Sequence, residues 1–203
     1  MRYQPLSKDV FRKNREKLKQ QLPPHALAIF APNNESPRNG DQTHAFRQNS
    51  DLLYVSGLDQ EKTIVTLFPD HPEKQMREMV FTIKTNKELE TWEGHKFTPE
   101  EVRNISGIST VKWLEGFEQT LHALMFRADT VFLNLNEQEK GGPGLPDGPL
   151  RMMQQLQAQY PWKSFRSLAP AMRSLRMVKE KEEVDIMRQA CQITRKAFYK
   201  VLD

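Results

Sequence analysis

The 203-residue sequence has a single cysteine, Cys191, so it can build neither an internal disulfide nor a cysteine metal site. Long apolar runs are missing too. None approaches the ~20 residues that a membrane-spanning helix needs, and the opening Met1-Arg2-Tyr3-Gln4 runs into charges with no apolar signal core. Both gaps point to a reducing, cytoplasmic setting without a membrane span. Glycine is sparse, at 9 residues, and no glycine-rich fingerprint follows a predicted strand, so a nucleotide-binding loop is unsupported. No serine stands in a Gly-x-Ser-x-Gly context. The histidines, His25, His44, His71, His95 and His122, are too widely spaced to pair on one helix face or along one strand. Each therefore reads as a surface or turn histidine. Cys191, on an apolar helix face, reads as a buried packing residue rather than a nucleophile.

The net charge of +4 is concentrated in one early segment, where Lys8, Arg12, Lys13, Arg15, Lys17 and Lys19 face Asp9 and Glu16. With no interleaved aromatics or recognition motif, this is a solvated helix face and not a nucleic-acid surface.

What is present is enough core. Leu, Ile, Val and Phe make up 48 of 203 residues, above the level at which disorder is expected. Ser7 opens a helix over about 8–22, stopped by Pro23-Pro24. Ala26 to Phe30 reads as a buried strand, Pro32 to Gln42 as a loop, and His44 to Gln48 as a brief extended segment. Ser50 is an N-cap candidate for a short helix over 51–56 closed by Gly57, with a strand over 63–68 behind it.

Further on, a strand is predicted over 78–84, helical character over 86–92 closed by Gly94, and a capping box from Thr98 through Glu101 with Pro99 at the first helical position. A strand over 109–114, a helix over 115–127 and a strand over 129–135 follow. Gly141 to Pro149 is a surface loop ahead of a helix over about 150–159. Strands alternating with helices predict an α/β fold, a mixed sheet of five or six strands with helices on both faces.

From residue 173 onward a helix is expected that packs poorly on the rest. Val184, Met187, Cys191, Phe198 and Val201 keep helical spacing up to an uncapped end at Asp203, which predicts that the stripe meets further chain. Trp92, in the polar run Glu90-Thr91-Trp92-Glu93-Gly94, is open to two readings: a half-buried packing residue, or an interface or ligand contact.

Arg47-Gln48-Asn49-Ser50-Asp51, two apolar residues, Tyr54 and then Ser56-Gly57-Leu58 closely resemble the N-terminal domain of aminopeptidase P, the Xaa-Pro aminopeptidases. Trp92-Glu93-Gly94 and the junction-like stretch Met172 to Val184 fit the same pattern in the right order. Creatinase and prolidase carry relatives of this domain.

The resemblance implies a creatinase-type, ribonuclease-H-like domain over 1–172, then a linker and the first helix of a truncated pita-bread metallopeptidase domain over 173–203. It implies a hydrolase that removes the first residue from peptides with proline second. Two divalent metals, usually manganese, would be held by two aspartates, a histidine and two glutamates of that second domain. None of those ligands can be matched to this sequence, so no catalytic or metal residue is carried over. The expected role is oligomerisation and substrate access, with Trp92 bordering substrate in a neighbouring subunit. Expected partners are the protein's own catalytic domain, other copies of itself and proline-containing peptides.

A prolidase-type domain and a stand-alone interaction module are the alternatives. A ribonuclease-H-type nuclease is disfavoured, because the strands predicted over 26–30, 63–68 and 109–114 carry no acidic residue.

Overall fold

The computed structural model describes residues 6–137 and 147–202. Most of the predicted Gly141–Pro149 loop lies outside them; Gly148 and Pro149 already belong to a helix.

The sheet has six strands in the order β6-β5-β4-β1-β7-β8. They are β1 (Ala26–Phe30), β4 (Ile64–Leu67), β5 (Glu78–Thr82), β6 (Thr110–Trp113), β7 (Thr130–Leu133) and β8 (Ser164–Ser167). β1 and β5 each pair antiparallel with β4, whereas β1–β7, β5–β6 and β7–β8 are parallel. β1 is the hub: Ala28 registers with Leu67 on one side and Phe132 on the other. All five β1 residues are buried, as a strand covered on both faces must be.

The two-residue side-chain period divides the core. Leu27 and Ile29 face a layer made by α5 (Phe117–Arg127) and α6 (Gly148–Gln159), through Phe117, Leu121, Leu124, Met125 and Leu156. Ala28 and Phe30 face the other layer, made by α1 (Lys8–Lys19), α2 (Ser50–Ser56), α4 (Pro99–Ser106) and α7 (Ala169–Met177). This is the predicted α/β sandwich with helices on both faces.

Several local expectations change. The N-cap of α2 is Asn49, not Ser50: its side chain accepts from the amides of Asp51 and Leu52. Asparagine and serine cap equally well, and Asn49 wins because its extended backbone stands one residue earlier. The loop expected over 32–42 contains a small hairpin, β2 (Pro37–Asn39) with β3 (Gln42–Thr43), turned at Gly40 with φ 54°. Its polar sequence hides the pairing.

Arg15 lies not on a solvated face but fully buried, because its guanidinium serves the ends of two helices. His71 is buried rather than a surface histidine, its ring edge-on to Phe68 at 5.3 Å.

The region beyond 168 also differs from the expected single helix. α7 packs Met172 and Leu175 into the core and crosses position 173; after residues 178–180, α8 (Lys181–Leu202) has no buried residue. Cys191 is consequently exposed and not a packing residue.

Candidate functional site

The expected contact residue, Trp92, lies on α3 (Lys87–Glu93) and is 88% exposed, which removes the half-buried reading. The amide of Gly94 donates to Glu90 O at 3.1 Å, and Gly94 takes φ 78°, a left-handed conformation that glycine adopts without strain. The chain then reverses into His95.

The two ring nitrogens of His95 reach carboxylates on different elements: Nδ1 lies 2.6 Å from Glu90 Oε1 and Nε2 3.0 Å from Glu101 Oε1. Both hydrogen bonds favour the imidazolium, so the His95 pKa is raised, first by Glu90 and then by Glu101. Partial burial alone would push the Glu101 carboxyl up, but hydrogen bonds from Thr98 and His95 outweigh it and hold the carboxyl low. Glu101 also completes the predicted capping box: its side chain accepts from the Thr98 amide at 2.8 Å while the Thr98 hydroxyl accepts from the Glu101 amide at 3.2 Å. Trp92 is thus carried on a short helix braced to the start of α4.

Behind this knuckle stands a buried amide relay. Gln48 donates from Nε2 to Gln60 O at 2.7 Å, and Gln60 donates from Nε2 to Thr82 Oγ1 at 2.8 Å. Gln60 Oε1 accepts the Phe97 amide at 2.5 Å, and Lys96 pairs with Glu61 beside it. The Arg47-to-Leu58 motif therefore works structurally. Gln48 and Gln60 fix the segment after Trp92, Asn49 starts α2, and Asp51 receives Arg176 of α7 at 2.8 Å.

A second surface adjoins the other end of α2. A groove of about 770 Å³ runs between α1, α2, α7 and the start of α8, with Val10, Phe11, Leu53, Tyr54, Met177 and Ile186 along it. The Tyr54 hydroxyl donates to Leu175 O at 3.3 Å. Its pKa is pushed up to about 12, first by burial and then by Glu183 and Glu180. The first turn of α8 is held electrostatically: Lys17 pairs with Glu180, and Lys13 lies 3.8 Å from Glu182. Beyond that turn α8 presents Met187, Ile193 and Phe198 to solvent.

The donor sets here do not fit a metal pair. No group of three or more His, Cys, Asp or Glu side chains that could hold a metal occurs among the described residues. His95, between Glu90 and Glu101, has both ring nitrogens already engaged by carboxylates. No described helix is long and apolar enough to cross a membrane.

Nothing local marks the relay, since Gln48 and Gln60 look like ordinary polar loop residues until the sheet brings Thr82 and Phe97 to them. The capping box and Gly94 were readable.

The family model for the aminopeptidase P N-terminal domain matches residues 11–132. The probable Xaa-Pro aminopeptidase PEPP of Sordaria macrospora is 29% identical over 162 residues, covering 80% of this chain and 26% of that protein. The Xaa-Pro aminopeptidase of Escherichia coli is 21% identical over 212 residues, covering 98% of this chain and 45% of that protein. A Bacillus anthracis structure bearing the aminopeptidase P name superposes with a TM-score of 0.88 at 28% identity, over 97% of this chain and 46% of that one. The chain spans less than half the length of these relatives.

Proposed function

This chain belongs to the family of aminopeptidase P N-terminal domains, and from that membership we propose that it is the non-catalytic N-terminal domain of a cytoplasmic, metal-dependent Xaa-Pro aminopeptidase. In this reading the parent hydrolase removes the first residue from peptides with proline second. The manganese pair and its ligands belong to a catalytic domain outside these 203 residues, reached through α8. The exposed apolar stripe of α8 packs on that domain. The present domain serves assembly of a homo-oligomer and controls substrate access, and nucleic acid and membrane are not partners.

The observation that carries the reading is Trp92, a large aromatic held out into solvent on a helix braced through His95 to α4. An exposed indole offers large apolar contact area at small rotamer cost. A tryptophan presented in this way suits contact with the proline ring or peptide face of a substrate in a neighbouring subunit.

The test uses the full-length parent enzyme. Trp92→Ala should raise KM for longer Xaa-Pro peptides more than it lowers kcat, by on the order of 1–2 kcal/mol in kcat/KM. Thermal stability should hardly change. A variant that melts several degrees lower with unaltered kinetics would show instead that Trp92 supports the fold alone.

A further inference from the structure

The outer face of α5 carries Glu118, His122 and Phe126 at four-residue intervals, which places them on one side of the helix. Opposite them the chain leaves α6 through Tyr160, Pro161 and Trp162, with a turn closed by the Lys163 amide on Tyr160 O at 3.0 Å. Glu118, His122, Phe126, Tyr160 and Trp162 line an open cavity of about 420 Å³, a size that suits a small organic ligand.

Its walls are aromatic: His122 and Tyr160 lie at 44° with centroids 5.9 Å apart, and each has a further ring set edge-on to it. Phe126 stands at 78° to His122 with centroids 4.8 Å apart, and Trp162 at 76° to Tyr160 with centroids 5.9 Å apart. The inner wall is fixed: Tyr160 is only 8% exposed, and a 2.8 Å hydrogen bond joins its hydroxyl to Nδ1 of His122. The outer walls, Phe126 and Trp162, are 65% and 67% exposed. Among the lining residues Glu118 is the one carboxylate and none is a lysine or arginine.

We infer that this cavity binds a small organic cation with an alkylated ammonium head. Ring faces carry negative quadrupole density, and four rings lining one cavity offer a tetrahedral cation contacts on several sides, with indole the best of them. A carboxylate at the rim adds the complementary charge. A proline-rich peptide would instead need ring faces lying side by side as ridges, and the perpendicular pairs here do not offer that. The Trp92 site uses none of these residues.

The test titrates the whole 203-residue chain with tetramethylammonium chloride at constant ionic strength, following the indole N–H signals of Trp92, Trp113 and Trp162 by NMR. The uncharged isostere neopentyl alcohol and a proline-rich decapeptide are titrated in parallel. Saturable movement of the Trp162 signal, with Trp92 and Trp113 still, is the expected result. Glu118→Gln should weaken binding about two- to fivefold, in line with an exposed cation–π site that loses its carboxylate. Trp162→Ala should abolish the response of the Tyr160 and Phe126 ring protons while the Trp92 and Trp113 signals report an intact fold. The inference is overturned by an absence of saturable shifts, by an equal response to neopentyl alcohol, by ring shifts that survive Trp162→Ala, or by saturation with the decapeptide alone.

Discussion

Arg15 and Glu78 meet across the helical layer and the sheet, with Nε 3.1 Å from Oε2, and the arginine side chain has no solvent exposure at all. The same guanidinium donates from Nη1 to Val55 O at 2.8 Å and Ser106 O at 2.9 Å, carbonyls of the last turns of α2 and α4. One cation thus sits at the negative ends of two helix dipoles, where a positive charge is most favourable. Burial lowers the Arg15 pKa and Glu78 works against that shift. Lys19 also reaches Glu78, so the carboxylate is shared.

Replacing this cation should be costly in a specific way. Arg15→Met keeps the apolar stem but leaves two helix-end carbonyls without their donor and Glu78 with Lys19 alone. The expected loss is about 3–5 kcal/mol, the range for breaking one side of a buried pair, read from urea denaturation of the whole chain. A loss near zero would show that water takes over all three contacts.

Two glycines separate backbone strain from packing. Gly57 and Gly94 both take positive φ, 72° and 78°. A Cβ on Gly57 would lie 2.5 Å from Phe11 Cζ, whereas one on Gly94 meets nothing within 4 Å. Gly94→Ala should therefore cost only the left-handed backbone penalty, about 1–2 kcal/mol. Gly57→Ala should cost that and a further 1–3 kcal/mol or so for the displaced ring. Equal losses in chemical denaturation would mean that Phe11 moves freely.

These positions also mark how far the sequence could be read. Gly57, Gly94, the Thr98 box and the β1 run follow from local rules, because each satisfies its own backbone within a few residues. Arg15 sits in a run of lysines and arginines, and only the meeting of α2, α4 and β5 makes it a core residue. Likewise the strand Ser164–Ser167 has half-exposed polar residues, and its pairing with β7 depends on a neighbour some thirty residues away. At the site, the exposure of Trp92 was open in the sequence and its bracing by Glu90, His95 and Glu101 was not, since a histidine between two carboxylates has no local signature.

The His95 brace should titrate. Its raised pKa means that its contribution is complete below the usual histidine value and is lost as pH rises through the raised one. Glu101, held low, contributes above the usual carboxylate range and loses its contribution as pH falls through the lowered value. The knuckle should be tightest between those two limits. Hydrogen exchange at the Gly94 amide should accelerate on the alkaline side beyond the intrinsic pH trend, and His95→Gln should remove that excess. A wild-type profile that already follows the intrinsic trend would rule the brace out.

The last expectation concerns α8. It has 22 residues and none of them is buried, so it lacks the tertiary packing that supplies most helical stability in proteins. Its attachment rests on the first turn: the Glu180 amide donates to Glu183 Oε2 at 2.8 Å, Lys17 pairs with Glu180, and Lys13 stands near Glu182. Lys17, then Lys13, holds the Glu180 carboxyl below its usual range, so that anchor persists at neutral pH and fails as pH falls through the lowered value. In the isolated chain, amides over 186–200 should exchange by local opening, far faster than those of β1 and β4, whose opening requires global unfolding. Lys17→Ala should spread the fast exchange into 181–185, and higher salt should do the same through screening. Amides over 186–200 protected as strongly as β1, in a chain shown by sedimentation to be monomeric, would mean that α8 holds its helix without a partner surface.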